Sequence, residues 1–189
     1  MKSPTTYVAF TGVCRLGTGT LRTLLPLLKQ RFEADPTDMV LVFNLETGRQ
    51  VDFDLRGSVA EILEREAPEQ PRGPGRPRLG VTSKEISLLP RHWDWLEAQP
   101  QGISATLRRL VETAMKVSPK KECAQRIRNA LSNILFAMAG NSPNYEEACR
   151  ALFAKDTATF EELIQPWPED IRDFAQAQAR EASQLEANE

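Results

Sequence analysis

"SKEISLLPRHWDWLEAQPQGISATLRRLVETAMKV", residues 83–117, is the stretch on which the fold reading turns. Its first seven residues mix apolar and polar side chains as a short strand does. Pro90 can start a helix in which Trp93 and Leu96 lie three apart on one face, and Pro100-Gln101-Gly102 ends it. Ser104 is a capping residue for a second helix, whose Leu107, Leu110, Val111 and Ala114 make an apolar stripe. Strand, helix, glycine turn and helix over so few residues cannot bury that stripe alone, so the pattern predicts a partner.

The residues just before it, "APEQPRGPGRPRLG" (67–80), hold four prolines and three glycines and propagate neither helix nor central strand. They read as a basic linker carrying Arg72, Arg76 and Arg78. Charge along the chain is uneven. Residues 1–68 carry eight Lys/Arg and nine Asp/Glu, residues 69–128 twelve and six, residues 129–189 four and eleven, within a net charge of -2. A basic middle between acidic ends suggests a local anionic partner; the alternative is that the acidic end folds over the basic middle.

The first residues read as an α/β unit over 1–66. "YVAFTGVC" (7–14) suits a strand, "GTGT" breaks it, and Thr20 can cap a helix over "LRTLLPLLKQRFEA" with Pro26 inside. "MVLVFNL" (39–45), a turn at "ETGR" and "QVDFDL" (50–55) predict a hairpin, after which Gly57-Ser58 opens a short helix. The expected order is β-α-β-β-α. "RLGTGT" lacks the G-x-x-x-x-G-K-[ST] spacing of a phosphate loop. Asp52 and Asp54 alternate with Val51, Phe53 and Leu55; period-two alternation on a half-buried strand predicts this with no metal.

From residue 119 the chain reads as helical. Ile127, Leu131, Ile134, Leu135 and Met138 share a face that ends at Gly140. Cys149, Leu152 and Phe153 mark a second helix, and Phe160, Leu163, Ile164, Trp167 and Ile171 a pair divided by Pro166 and Pro168. The last ten or so residues are polar and are expected to fray.

Several function classes find no support. No apolar run approaches the ~20 residues of a membrane span, and the start lacks a signal-peptide core, so a cytoplasmic protein is expected. Cys14, Cys123 and Cys149 form no C-x-x-C pair and are expected as buried free thiols. With His92 the lone histidine, no metal or cofactor is expected, and no acid, base and nucleophile set assembles. An enzyme would need an unrecognised site near Asp52, Asp54 or His92.

Three resemblances add to this. Residues 83–117, chiefly "GISATLRRLV", resemble a ribbon-helix-helix motif, which implies two chains pairing strands whose ribbon enters the DNA major groove. The outward strand residues are Ser83, Glu85 and Ser87 in one register, Lys84, Ile86 and Leu88 in the other. "PGRPR" (74–78) resembles the Gly-Arg-Pro core of an AT-hook, which implies an arm in the A·T minor groove. Nearly the whole chain resembles an uncharacterised bacterial family, a domain of unknown function. "TGRQVDFDLRG", "GRPRLGVTSKEISLLPRHWDWL", "AMAGNSPNYEEACRALFAKD" and "WPEDIR" carry that likeness.

The sequence thus predicts an α+β protein: an α/β unit (1–66), a basic linker (67–80), a strand-helix-helix segment (81–118) and a helical region (119–189). The expected function is a dimeric DNA-binding regulator or nucleoid-associated factor, contacting A·T-rich DNA through Arg72, Arg76, Arg78, Lys84, Arg91 and Arg108. The alternative is a protein-interaction module. The first requires those cations on one exposed face, the second an exposed apolar patch near Trp93 and Trp95.

Overall fold

A computed structural model describes residues 4–68, 83–117 and 119–187. The fold is α+β. Strands Tyr7–Thr11 (β1) and Cys14–Gly19 (β2) precede helix Leu21–Ala34 (α1), strand Val40–Asn44 (β3) and helix Val59–Glu66 (α2). Helices Pro90–Glu97 (α3) and Ile103–Val117 (α4) follow, then Pro119–Ala139 (α5), Tyr145–Phe153 (α6), Thr157–Leu163 (α7) and Glu169–Ala187 (α8). The sheet has the order β2-β1-β3 and is antiparallel throughout.

β1 is central and apolar on both faces, which follows from the period-two geometry of a strand with neighbours above and below. Val8 and Phe10 point one way and join Phe43, Leu131, Ile134, Leu135 and Phe174 in the larger core cluster. Phe10 meets Phe174 edge-to-face, with ring centres 5.6 Å apart. Ala9 points the other way, into a smaller cluster with Val42, Leu25, Leu28 and Ile62. Each fully buried large side chain here contributes about 1.5–3 kcal/mol. The sheet therefore lies between α1 and α2 on one face and the C-terminal helices on the other. Two compact units result, Met1–Glu69 with Lys120–Glu189, and Gln70–Pro119.

Several expectations need correction. The order of the first elements is β-β-α-β-α, because "TGVC" is a hairpin rather than the end of one strand. Thr11 pairs with Cys14 across a two-residue turn whose Gly12 has φ +54°, a position suited to glycine at the start of a tight hairpin turn. "RLGTG" is then strand, and its glycines serve packing: a Cβ at Gly17 would meet Leu24 of α1 at 3.3 Å. Thr20 does sit at the α1 N-cap, without a side-chain capping bond.

The hairpin expected from 39–45 and 50–55 closes but does not continue. The Asn44 carboxamide oxygen accepts from Glu46 N at 2.8 Å, Gly48 turns the chain at φ +68°, and Val51 N donates to Val42 O at 2.8 Å. Beyond the single Phe43–Gln50 bridge the segment leaves the sheet. The carbonyls of Asp54 and Arg56 accept from the Arg65 guanidinium of α2 instead of from a strand. Phe53 and Leu55 pack half-buried against the smaller cluster. Asp52 is exposed and Asp54 half-buried. Ser58 and Glu61 form a reciprocal capping box at the start of α2.

At the other end, α8 runs to Ala187 instead of fraying, because Ala182 is buried and Glu186 is tied down. Arg128 of α5, 2% exposed, donates to both Glu186 oxygens at 3.0 and 2.8 Å. Lys155 adds a 2.8 Å ion pair. The guanidinium and ammonium hold the Glu186 carboxyl down at about 2. Trp167 is buried, donates from Nε1 to Pro143 O at 2.8 Å and stacks on Tyr145. The thiols are less buried than expected: Cys14 is exposed beside the hairpin turn, and Cys123 and Cys149 are half-buried. No helix among the described residues is long and apolar enough to cross a membrane.

Candidate interaction surface

The surface of interest is built by α3 and α4. Pro90 at the first turn of α3 fixes the helical φ where no backbone donor is needed. The helix stops at Glu97, Gln99 Nε2 closes onto Trp95 O at 3.0 Å, and Gly102 at φ +76° redirects the chain. Gly102 O then accepts from Thr106 N at 3.1 Å, so α4 begins at Ile103 and Ser104 lies inside its first turn rather than capping it. Because glycine tolerates the left-handed conformation, the backbone makes this start without a side-chain cap.

What this hairpin buries is small. Leu96 and Thr106 are its fully buried side chains among the described residues, while Trp93, Ile103, Ala105 and Leu107 are half-buried. Beyond Leu107 the apolar stripe of α4 is in solvent: Leu110 is 42% exposed, Val111 55% and Met115 63%. Trp95 is 50% exposed on α3, and Ile86 and Leu89 are exposed before it. Met115 escaped the sequence reading although it stands four residues after Val111, on the same stripe.

Residues 83–89, expected as a strand, carry none, and only Leu88 among them is half-buried. Among the described residues no strand pairs with them, and the sheet consists of β2, β1 and β3. Among the described residues the ribbon of a ribbon-helix-helix unit is therefore not formed, and a helical hairpin remains.

The sequence-predicted cations divide. Lys84, Arg91 and Arg108 are described, and all three are exposed. Arg108 Nε donates to Ser104 O at 3.1 Å, and Arg91 Nε reaches His92 Nε2 at 3.5 Å. Arg72, Arg76 and Arg78, with the AT-hook-like 74–78, lie outside the described residues. The basic middle is weaker than its sequence count. Arg128 is buried and neutralised by Glu186, so the acidic end does fold over part of it. Residues 83–117 hold five basic and four acidic side chains.

The residues weighed for catalysis do not converge. Asp54 is gripped by Arg56 at 2.9 and 2.8 Å, which holds its carboxyl well below the usual range. Asp52 accepts from Gln50 at 3.2 Å. His92 is exposed and belongs to the other compact unit. Among the described residues no three His, Cys, Asp or Glu side chains are grouped to hold a metal ion. The hollow beside the α3–α4 turn, about 490 Å³, is shallow and open, lined by Glu97, Gln101, Gly102 and Arg108 among others.

No curated protein and no solved structure matches the chain. A family model described as "Uncharacterized protein conserved in bacteria" (DUF2239) matches residues 6–179, which takes in the sheet, the hairpin and most of α8. The chain belongs to the bacterial family DUF2239.

Proposed function

We propose that the chain is a protein-interaction module whose working element is the α3–α4 hairpin. One observation carries this reading: Leu110 and Val111 are in solvent on α4, with Met115 one turn beyond Val111, and among the described residues of the unit little beyond Leu96 is fully buried. Covering the rest of those three side chains contributes about 1 kcal/mol each, enough to favour a docked state. Hydroxyl-radical oxidation tests it: Met115 should react more slowly as concentration or an added partner is raised than when the chain is dilute and alone. A Met115 that reacts at the free rate whatever partner or concentration is offered would defeat it.

A second reading, a DNA-binding regulator or nucleoid-associated factor, is favoured by the exposure of Lys84, Arg91 and Arg108. Arg72, Arg76 and Arg78 would extend that basic set along the linker. Each phosphate contact steepens the dependence of log K on log salt by about 0.9, so six would give a slope near 5. A duplex titration at two salt concentrations separates the readings, since an interaction module shows no such slope.

A further inference from the structure

We propose that the partner of the α3–α4 hairpin is a second copy of the same chain, docked along α4. This rests on the interaction reading above and names its occupant. Ile103, Leu107, Leu110 and Ala114 are spaced four, three and four apart, the repeat with which one helix packs along another. The positions flanking that seam are Ser104 and Val111 on one side and Thr113 on the other, with Thr106 already buried in its own chain, and all are uncharged. The charges of α4, Arg108, Arg109, Glu112 and Lys116, fall on its remaining face, with Met115 at the edge of that face next to Val111.

Flanking charges are what select an unlike partner and repel a like one. Their absence leaves two copies free to meet without like-charge contact, and supplies no code for a different chain. A 15-residue helix is about 22 Å long, so the seam gives a second copy about four turns to pack along. Pairing two hairpins doubles the apolar material around Leu96 and Leu107 and so provides the core that neither has alone.

The test is light scattering after size exclusion on the full chain at micromolar concentration. The wild type should run at twice 21.2 kDa. Leu110→Glu with Val111→Glu, which keeps strong helix formers on α4 but charges the seam, should run at the single-chain mass with unchanged circular dichroism. Leu110→Ile should remain dimeric. A monomeric wild type, or a double variant that stays dimeric, overturns the proposal. Met115 oxidation then separates the two levels. A monomer whose Met115 is open to solvent refutes only the second copy. A monomer whose Met115 is shielded by its own chain refutes the interaction reading as well.

Discussion

Glu186→Gln should destabilise the protein more than Arg128→Met, although the second removes the larger side chain. Arg128 is 2% exposed and its guanidinium is held by both Glu186 oxygens, at 3.0 and 2.8 Å. Taking away the carboxylate leaves a buried cation with one amide oxygen in place of two charged acceptors. Breaking a buried pair in this way costs about 3–5 kcal/mol, and the retained oxygen lowers that to about 2–3. Methionine at position 128 removes the charge together with its desolvation cost. It strands only Glu186, which is 18% exposed and still paired with Lys155 at 2.8 Å. Its cost should be about 1 kcal/mol.

The pH dependence follows with a definite sign. The Glu186 carboxyl is lowered from 4.5 to about 2, so its stabilisation is fully present above 4.5 and is lost as pH falls toward 2. At full value that is about 3 kcal/mol; solvent at the carboxylate reduces it to roughly 1–2. Urea unfolding at pH 7 and pH 3 measures both effects. Glu186→Gln should be the less stable variant at pH 7 and should lose less than the wild type on going to pH 3. If Arg128→Met is the less stable of the two, or if wild type and Glu186→Gln lose equal stability, the pair does not hold α5 to α8 as argued.

Three further outcomes are expected. Gly48→Ala should cost about 2–4 kcal/mol by thermal unfolding, because φ is +68° and an added Cβ would press on the Ala130 carbonyl and approach the Asn133 Cβ at 2.7 Å. Ser58→Ala, which removes one half of the α2 capping box, should cost about 1 kcal/mol in the same assay. Arg76→Ala with Arg78→Ala should leave the melting temperature unchanged. On the interaction reading the pair also leaves duplex retention unchanged, whereas a DNA arm would flatten the salt slope by nearly 2.

Much of the fold was legible because its signals are local. The helix start at Gly57-Ser58, the proline start of α3, the glycine end of α5 and the Pro166–Pro168 break before α8 each rest on residues adjacent in sequence. What escaped depends on distant partners. Nothing near residue 54 announces that Arg65 will take the carbonyls a strand would have offered. Nothing near residue 186 announces Arg128, 58 positions away. That pairing both ordered the expected frayed end and emptied part of the basic middle. The hairpin at "TGVC" was missed because the apolar run around its single glycine reads as one continuous strand. At the candidate surface, periodicity gave the stripe through Leu107, Leu110, Val111 and Ala114. It could not show that the stripe beyond Leu107 would remain in solvent, since burial is a property of what packs against a helix.

Amide hydrogen exchange along α4, followed as a function of protein concentration, tests the self-docking hairpin most directly. If a second copy covers the helix, the amides from Leu110 onward should exchange more slowly as concentration rises, while those of the β1–β3 sheet remain unchanged. Leu110→Glu with Val111→Glu should abolish that dependence. Exchange in α4 that is fast and independent of concentration in the wild type would contradict the account.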